Sequence, residues 1–179
     1  MDIFTSYNQS AVVSECGLYR YELTRNWRPR ESNRTCIFIM LNPSTADGTK
    51  DDATILKCVQ FAKKFGCGQL IVVNLFAYRE TSPKKMMALN NVDVVGPDNK
   101  DYIEDTLRCG LYEGNSPLII AAWGNDGKHI GQDETMLGWL DDKFVECLGT
   151  NKNGTPKHPL YIPYEQTLIP FSRPTSEGK

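Results

Sequence analysis

At 179 residues with a formal net charge of −2, the chain is the size of one domain, long enough to bury roughly two thirds of its unfolded surface without disulfides or metals. The missing basic surplus excludes a protein that grips a long duplex through many phosphates, so a nucleic-acid partner has to be met by a local patch, or the ligand is a small nucleotide or nucleobase. No apolar run approaches the roughly 20 residues of a membrane helix, and Met1-Asp2-Ile3 opens a polar segment unlike a signal peptide; a cytoplasmic protein with no membrane partner is expected.

The cysteines stand at positions 16, 36, 58, 67, 109 and 147, with no C-x-x-C pair, and only two histidines accompany them. A zinc cage needs paired ligands a few residues apart, so the expectation is reduced, mostly buried thiols, no metal site and no cofactor.

From Gly17 to Trp27, Leu18, Arg20, Glu22 and Thr24 alternate with Tyr19, Tyr21, Leu23 and Arg25, which predicts a half-buried strand near a sheet edge. The polar, proline-containing segment that follows reads as a loop. Its basic cluster, Arg25, Arg28, Arg30 and Arg34, is either a solvated loop or an anion-binding rim. The run Ile37 to Leu41 then stops abruptly at Asn42-Pro43 and gives way to Ser44-Thr45-Ala46-Asp47, the pattern of a buried strand opening into a polar loop.

Asp51 and Asp52 precede Ile55, Cys58, Val59, Ala62 and Phe65, whose spacing marks one apolar helix face with Gly66 as the stop. The two aspartates are either helix caps or site residues. Leu70 to Phe76 repeats the first strand pattern and turns polar at Asn74. Two strands with a helix between them form a βαβ unit, which sets Asn42 and Asn74 at one edge of a parallel sheet. A loop over 77–83, a short helix over 84–89 and a helix from Pro97-Asp98 to about Cys109 come next. Pro117 to Gly124 is a third apolar run, and its polar exit Asn125-Asp126-Gly127-Lys128-His129 falls at the same edge. Met136 to Leu140 suggests a helix, Phe144 to Leu148 a fourth core strand, and the turn at Asn153-Gly154 leads to His158-Pro159. Residues 172–179 lack apolar content and read as a disordered tail after a single domain spanning 1–171.

Ligands of open α/β sheets bind beyond the carboxyl ends of the strands, so these exits are where chemistry is expected. An asparagine amide offers an acceptor and two donors in one plane, which suits the edge of a nucleobase; Phe76, Tyr78 or Trp123 could stack on its face. A histidine can serve a leaving group near neutral pH, and an aspartate or asparagine can orient a water. Neither a glycine-rich phosphate loop nor a G-x-S-x-G serine elbow is present, and Ser44 could act as a nucleophile only if His158 approached it.

Five ordered motifs, Met40 to Asp47, Asp51-Asp52-Ala53-Thr54, Val73 to Arg79, Ala122-Trp123-Gly124 and His158-Pro159-Leu160-Tyr161, resemble those of the bacterial and phage family DUF1643, a domain of unknown function, over about Tyr19 to Pro163. That layout is similar to the uracil-DNA glycosylase superfamily. The resemblance implies a three-layer α/β sandwich with a central, mostly parallel sheet and an N-terminal edge strand or hairpin. It also implies a nucleobase- or nucleotide-recognising protein with glycosylase-like N-glycosidic hydrolysis of a base in DNA or in a nucleotide. Catalytic roles then fall on Asn42, Asp47, Asp51 and His158. Substrate binding falls on Pro43, Ser44, Asn74, Phe76, Arg79, Trp123 and Gly124. The sequence departs from the glycosylase pattern at Met40, where those enzymes carry glycine, and at Leu160, where they carry serine. The alternative is a non-catalytic binding module for a nucleotide or nucleotide-derived signal, in a phage or bacterial defence setting.

Overall fold

The computed structural model describes residues 8–27, 34–44, 46–112 and 116–172. Arg28 and Arg30 of the basic loop, Thr45, and residues 173–179 of the expected tail lie outside them. The strands are β1 (Asn8–Val13), β2 (Arg20–Asn26), β3 (Thr35–Met40), β4 (Gln69–Asn74), β5 (Leu118–Ala121), β6 (Val145–Cys147) and β7 (Ile169–Pro170). The helices are α1 (Ala53–Lys64), α2 (Pro83–Met87), α3 (Asn99–Tyr112) and α4 (Gln132–Trp139).

All seven strands form one sheet in the order β1-β2-β4-β3-β5-β6-β7. The central four, β4, β3, β5 and β6, are parallel, and every residue of β3 is buried. This is why the sequence there reads as continuous apolar runs rather than alternation. Both flanks are antiparallel: the β1-β2 hairpin on β4, and β7 on β6. The sheet is thus more mixed than the expected mostly parallel one. β1 and β2 precede the first helical crossover and are joined by a short turn, which permits only antiparallel pairing. β1, expected only through an N-terminal edge strand or hairpin, and β7, absent from the sequence reading, are largely exposed edge strands and carry little apolar signal.

Helices cover both faces. Cys58, Phe61 and Ala62 of α1 pack with Phe38, Val72 and Ile120 on one side. Met86 of α2, Ile103 of α3 and Met136 of α4 pack with Ile37, Ile39 and Val73 on the other. Each large side chain so buried contributes about 1.5–3 kcal/mol. α1 begins where Asp52, in extended conformation, accepts the Ile55 N–H at 2.9 Å, and it ends with Lys63 and Lys64 in the last turn before Gly66 at φ +74°. Cys36, Cys58, Cys67 and Cys147 are free and buried, while Cys16 is free and exposed.

Two arginines of β2 need explanation, because both are almost fully buried. Arg25 is 0% exposed and uses its whole fork: Nε donates to Asp51 at 2.7 Å, Nη2 to the Asp47 carbonyl at 2.6 Å, and Nη1 to the carbonyls of Thr24 and Ser10. It clamps the segment between β3 and α1 onto the hairpin, so it is a strut inside the fold and not part of an anion-binding rim.

Arg20 owes its placement to a β-bulge. Val12 pairs with Glu22 but Val13 with Arg20, which leaves Tyr21 as the extra residue. Beyond the bulge the two faces exchange: Tyr21 stacks on Tyr102 of α3 at 4.8 Å, and Arg20 turns to the α1 side, where its Nη1 donates to the Ala46 carbonyl at 2.6 Å. Re-aiming one side chain is a recurring use of such bulges.

Candidate functional site

The crossovers that follow β3 and β5 run to opposite sides, β3 through α1 to β4 and β5 through α4 to β6. The sheet therefore has a topological switch point between β3 and β5, the place where open α/β sheets hold ligands. A cleft of about 610 Å3 opens there. Its walls come from the exits of β3 (Met40 to Asn42 and Ser44), β4 (Asn74) and β5 (Trp123 to Asp126). The start of α1 (Asp52 to Ile55), the Glu80-Thr81 loop and the segment His158 to Tyr161 complete it.

Each exit is fastened to its neighbour. The Leu75 and Phe76 N–H groups donate to the Met40 and Leu41 carbonyls, extending the β3-β4 pairing past the strand ends. Asn99 of α3, itself fully buried, donates from Nδ2 to the carbonyls of Asn74 and Leu75. Asn42 donates from Nδ2 to the Glu80 carbonyl at 2.6 Å and to the Pro43 carbonyl at 3.2 Å, and the Glu80 N–H returns to Pro43. Both amide hydrogens of Asn42 are thus used in holding the loop, which leaves Oδ1 as its group able to accept from a ligand or water.

Asn74 behaves differently. It is 1% exposed, lines the cleft, and has no hydrogen-bond partner at either Oδ1 or Nδ2. A buried amide left unsatisfied at both ends costs about 1–3 kcal/mol for each group, so its retention in a well-packed sheet needs a reason outside the fold. Arg20 adds a second such donor to the same cleft, its Nε being buried and unpartnered. Burial pulls the Arg20 guanidinium down to about 10, with Asp52 opposing the shift, so it remains a cation at neutral pH.

His158 lines the cleft beside Gly124. Gly124 has φ +75° and ψ −166°, a conformation open essentially only to glycine, and its N–H donates to the Pro156 carbonyl, which brings the C-terminal segment to the exit of β5. His158 Nδ1 accepts the Leu160 N–H at 3.4 Å, so its neutral form carries the proton on Nε2. Burial lowers its pKa below 6.5, with Asp52 opposing.

This shift sets a pH dependence. The folded state disfavours the imidazolium, so the stability contributed by neutral His158 is present above pH 6.5 and is lost as pH falls through the lower folded-state value. Urea unfolding at about pH 8 and about pH 5 should show a drop in wild type that is smaller in His158→Gln. An equal drop in the two proteins would remove His158 as its source.

The cleft gathers Asn42, Ser44, Asn74, Trp123, Gly124 and His158 from among the residues expected to form the site. Others lie elsewhere. Asp47 accepts the backbone N–H groups of Thr49 and Lys50, which hold its carboxyl below the usual range, and it shapes a turn. Asp51 is Arg25's partner. Phe76 is fully buried in the core against His129, and Pro43 is buried beside the rim. The Trp123 indole packs edge-on to Phe171 and beneath Gly127, where an added Cβ would come within 2.1 Å of it, so it offers no open stacking face. Arg79 lies in an adjoining hollow.

Sequence reasoning left Arg20, Glu80, Asp126 and Tyr161 out of the site, and it read Asp52 as either a helix cap or a site residue. Tyr161 lines the cleft and is 88% exposed, which makes it the aromatic ring available to a ligand. Its signal was its place three residues after His158 on the short helical turn Pro159–Tyr161.

A family model described as protein of unknown function (DUF1643) matches residues 20–160, most of the chain. The protein belongs to the DUF1643 family. No curated protein and no solved structure matches it. In this DUF1643 protein the matched span runs from Arg20 to Leu160 and so contains every cleft-lining residue except Tyr161. No group of three or more potential metal-ligating side chains occurs among the described residues, and none of the described helices is long and apolar enough to cross a membrane.

Proposed function

We propose that this DUF1643 protein recognises a nucleobase or nucleotide in the cleft at the switch point, with Asn74 reading the edge of the base. The observation that carries the reading is the Asn74 amide, buried and unsatisfied at both ends in a cleft of small-molecule size. A base edge that sets one donor beside one acceptor would satisfy both ends at once. Exposed Tyr161 supplies a ring to cover the base, and the unused Arg20 Nε a further donor.

A catalytic form of this reading, glycosylase-like hydrolysis of an N-glycosidic bond, is favoured by His158 and Asp52 lining one cleft. Asp52 caps α1 with Oδ1 and keeps its other oxygen for a water proton, while His158 Nε2–H can donate a hydrogen bond that stabilises the base leaving as an anion when the water oxygen bonds to the sugar carbon. In this form Asp52 takes the water-activating part expected of Asp47 or Asp51, and Asn42 can orient the water only through Oδ1. The order of exits, Asn42-Pro43, Asn74, Trp123-Gly124 and His158-Pro159, supports the likeness in layout to uracil-DNA glycosylases.

A thermal-shift panel of nucleobases, nucleosides, nucleotides and modified-base oligonucleotides tests the proposal. At least one class is expected to raise the melting temperature, by about 2.7 kcal/mol of stabilisation at a hundredfold excess over Kd. A panel without any stabilising member would overturn it. Base release from the stabilising member separates hydrolysis from binding alone.

A further inference from the structure

Beside the cleft lies a second hollow of about 340 Å3, lined by Gly17, Ser44, Arg79, Glu80 and Thr81. Ser44, Glu80 and Thr81 line both spaces, so the hollow and the cleft share a wall. Arg79 is the hollow's cation. Of its five donors, Nη1 gives one to the Gly17 carbonyl at 3.2 Å, and Nε is buried with no partner. Among the described residues it makes no salt bridge: the neighbouring Asp47 carboxylate is held by backbone N–H groups, and Glu80 accepts the Ser82 N–H. The position is also fixed from the backbone, because the Arg79 N–H donates to the Leu18 carbonyl and the Glu80 N–H to that of Pro43.

A half-buried guanidinium that makes no ion pair among the described residues, with an orphaned Nε and with Ser44 lining the same hollow, offers donors of the kind a phosphate takes up. An arginine fork matches two phosphate oxygens at once, which a lysine ammonium cannot do. Arg20, a buried cation lining the cleft, lies within electrostatic reach of Arg79, with Asp52 and Asp47 opposing the repulsion between them.

We infer that the hollow is a phosphate subsite, and that the ligand of the DUF1643 protein is a nucleotide whose phosphate lies on Arg79 and Ser44 while its base reaches Asn74 across the shared wall. The inference rests on the base-reading proposal for where the base goes, but the phosphate subsite stands on its own residues. It also accounts for an acidic protein binding an anion: one local arginine does what no overall basic surplus provides.

Two titrations test it. In the first, common nucleosides and their monophosphates are compared on wild type, Arg79→Gln and Arg79→Lys by calorimetry. On wild type the monophosphate is expected to bind roughly 10- to 100-fold more tightly than its nucleoside, the range for a hydrogen bond to a charged group. The ratio should fall towards one in Arg79→Gln, with Arg79→Lys between. Equal affinities on wild type, or an unchanged ratio in Arg79→Gln, would overturn the subsite while leaving base reading intact. In the second, inorganic phosphate alone is added, and the melting temperature is followed against a matched chloride series. A phosphate-specific rise in wild type that Arg79→Gln lacks supports the hollow even where no nucleoside binds, and no difference between the two salts counts against it. Melting curves without ligand establish that each variant folds.

Discussion

Asn74→Leu should make this DUF1643 protein more stable and unable to bind its ligand. The substitution removes an amide that is 1% exposed and unpartnered at both Oδ1 and Nδ2, and it places a side chain of similar volume beside Met40, Val72 and Ile55. Relief of the two unsatisfied groups is worth about 1–3 kcal/mol for each, and in a domain of this size the melting temperature rises by roughly 2–4 °C per kcal/mol. Any ligand found in the thermal-shift panel should lose its effect at the same time. A gain in stability with loss of function is the mark of a residue kept for binding. Destabilisation by Asn74→Leu would mean that the amide has a structural partner and is not waiting for a ligand.

The second large effect is on the fold alone. Arg25→Met should destabilise the protein by about 3–5 kcal/mol, because it takes a fully buried guanidinium's bonds away from the part-buried Asp51 carboxylate and three carbonyls at once. Arg25→Lys should recover little of this, since one ammonium cannot reach a carboxylate and three separated carbonyls with the geometry of a planar fork. Urea unfolding measures both. A loss below about 1 kcal/mol for Arg25→Met would place the clamp among weak surface ion pairs and detach the Asp47 to Asp52 segment from the hairpin.

The two buried arginines of β2, Arg20 and Arg25, also mark how far the sequence was legible. The parallel core was readable because β3, β4 and β5 are buried on both faces, so each is an apolar run that breaks at the point where the chain leaves the sheet. α1 was readable from its apolar spacing, its cap and Gly66. Asn42, Asn74, Trp123 and Gly124 were readable as strand exits, and the structure brings them to one edge. Strict alternation along β2, however, placed Arg20 with Glu22 and Thr24, on the face away from Leu23. The bulge at Tyr21 reverses that phase, and nothing in the local sequence announces a bulge whose cause is the pairing with Val12 and Val13.

Side-chain roles failed for a related reason. Asp47, Asp51 and Asp52 look alike in sequence, and only tertiary contacts separate a turn, an ion pair and a helix cap on the cleft wall. Phe76 and Trp123 follow strands closely and look like stacking platforms, but their rings point into the layer of α2 to α4. Tyr161 became visible only as an exposed ring on a turn fixed by Gly124 and Pro156.

The direct measurement of the central claim follows the Asn74 side-chain amide, assigned by its loss in Asn74→Leu, in nitrogen–proton correlation spectra during titration with the strongest panel ligand. Base reading predicts a large shift of that one amide resonance as Nδ2 gains its acceptor, with saturation at the same ligand concentration as the thermal effect. A ligand that binds and leaves the Asn74 amide unmoved would contradict the account.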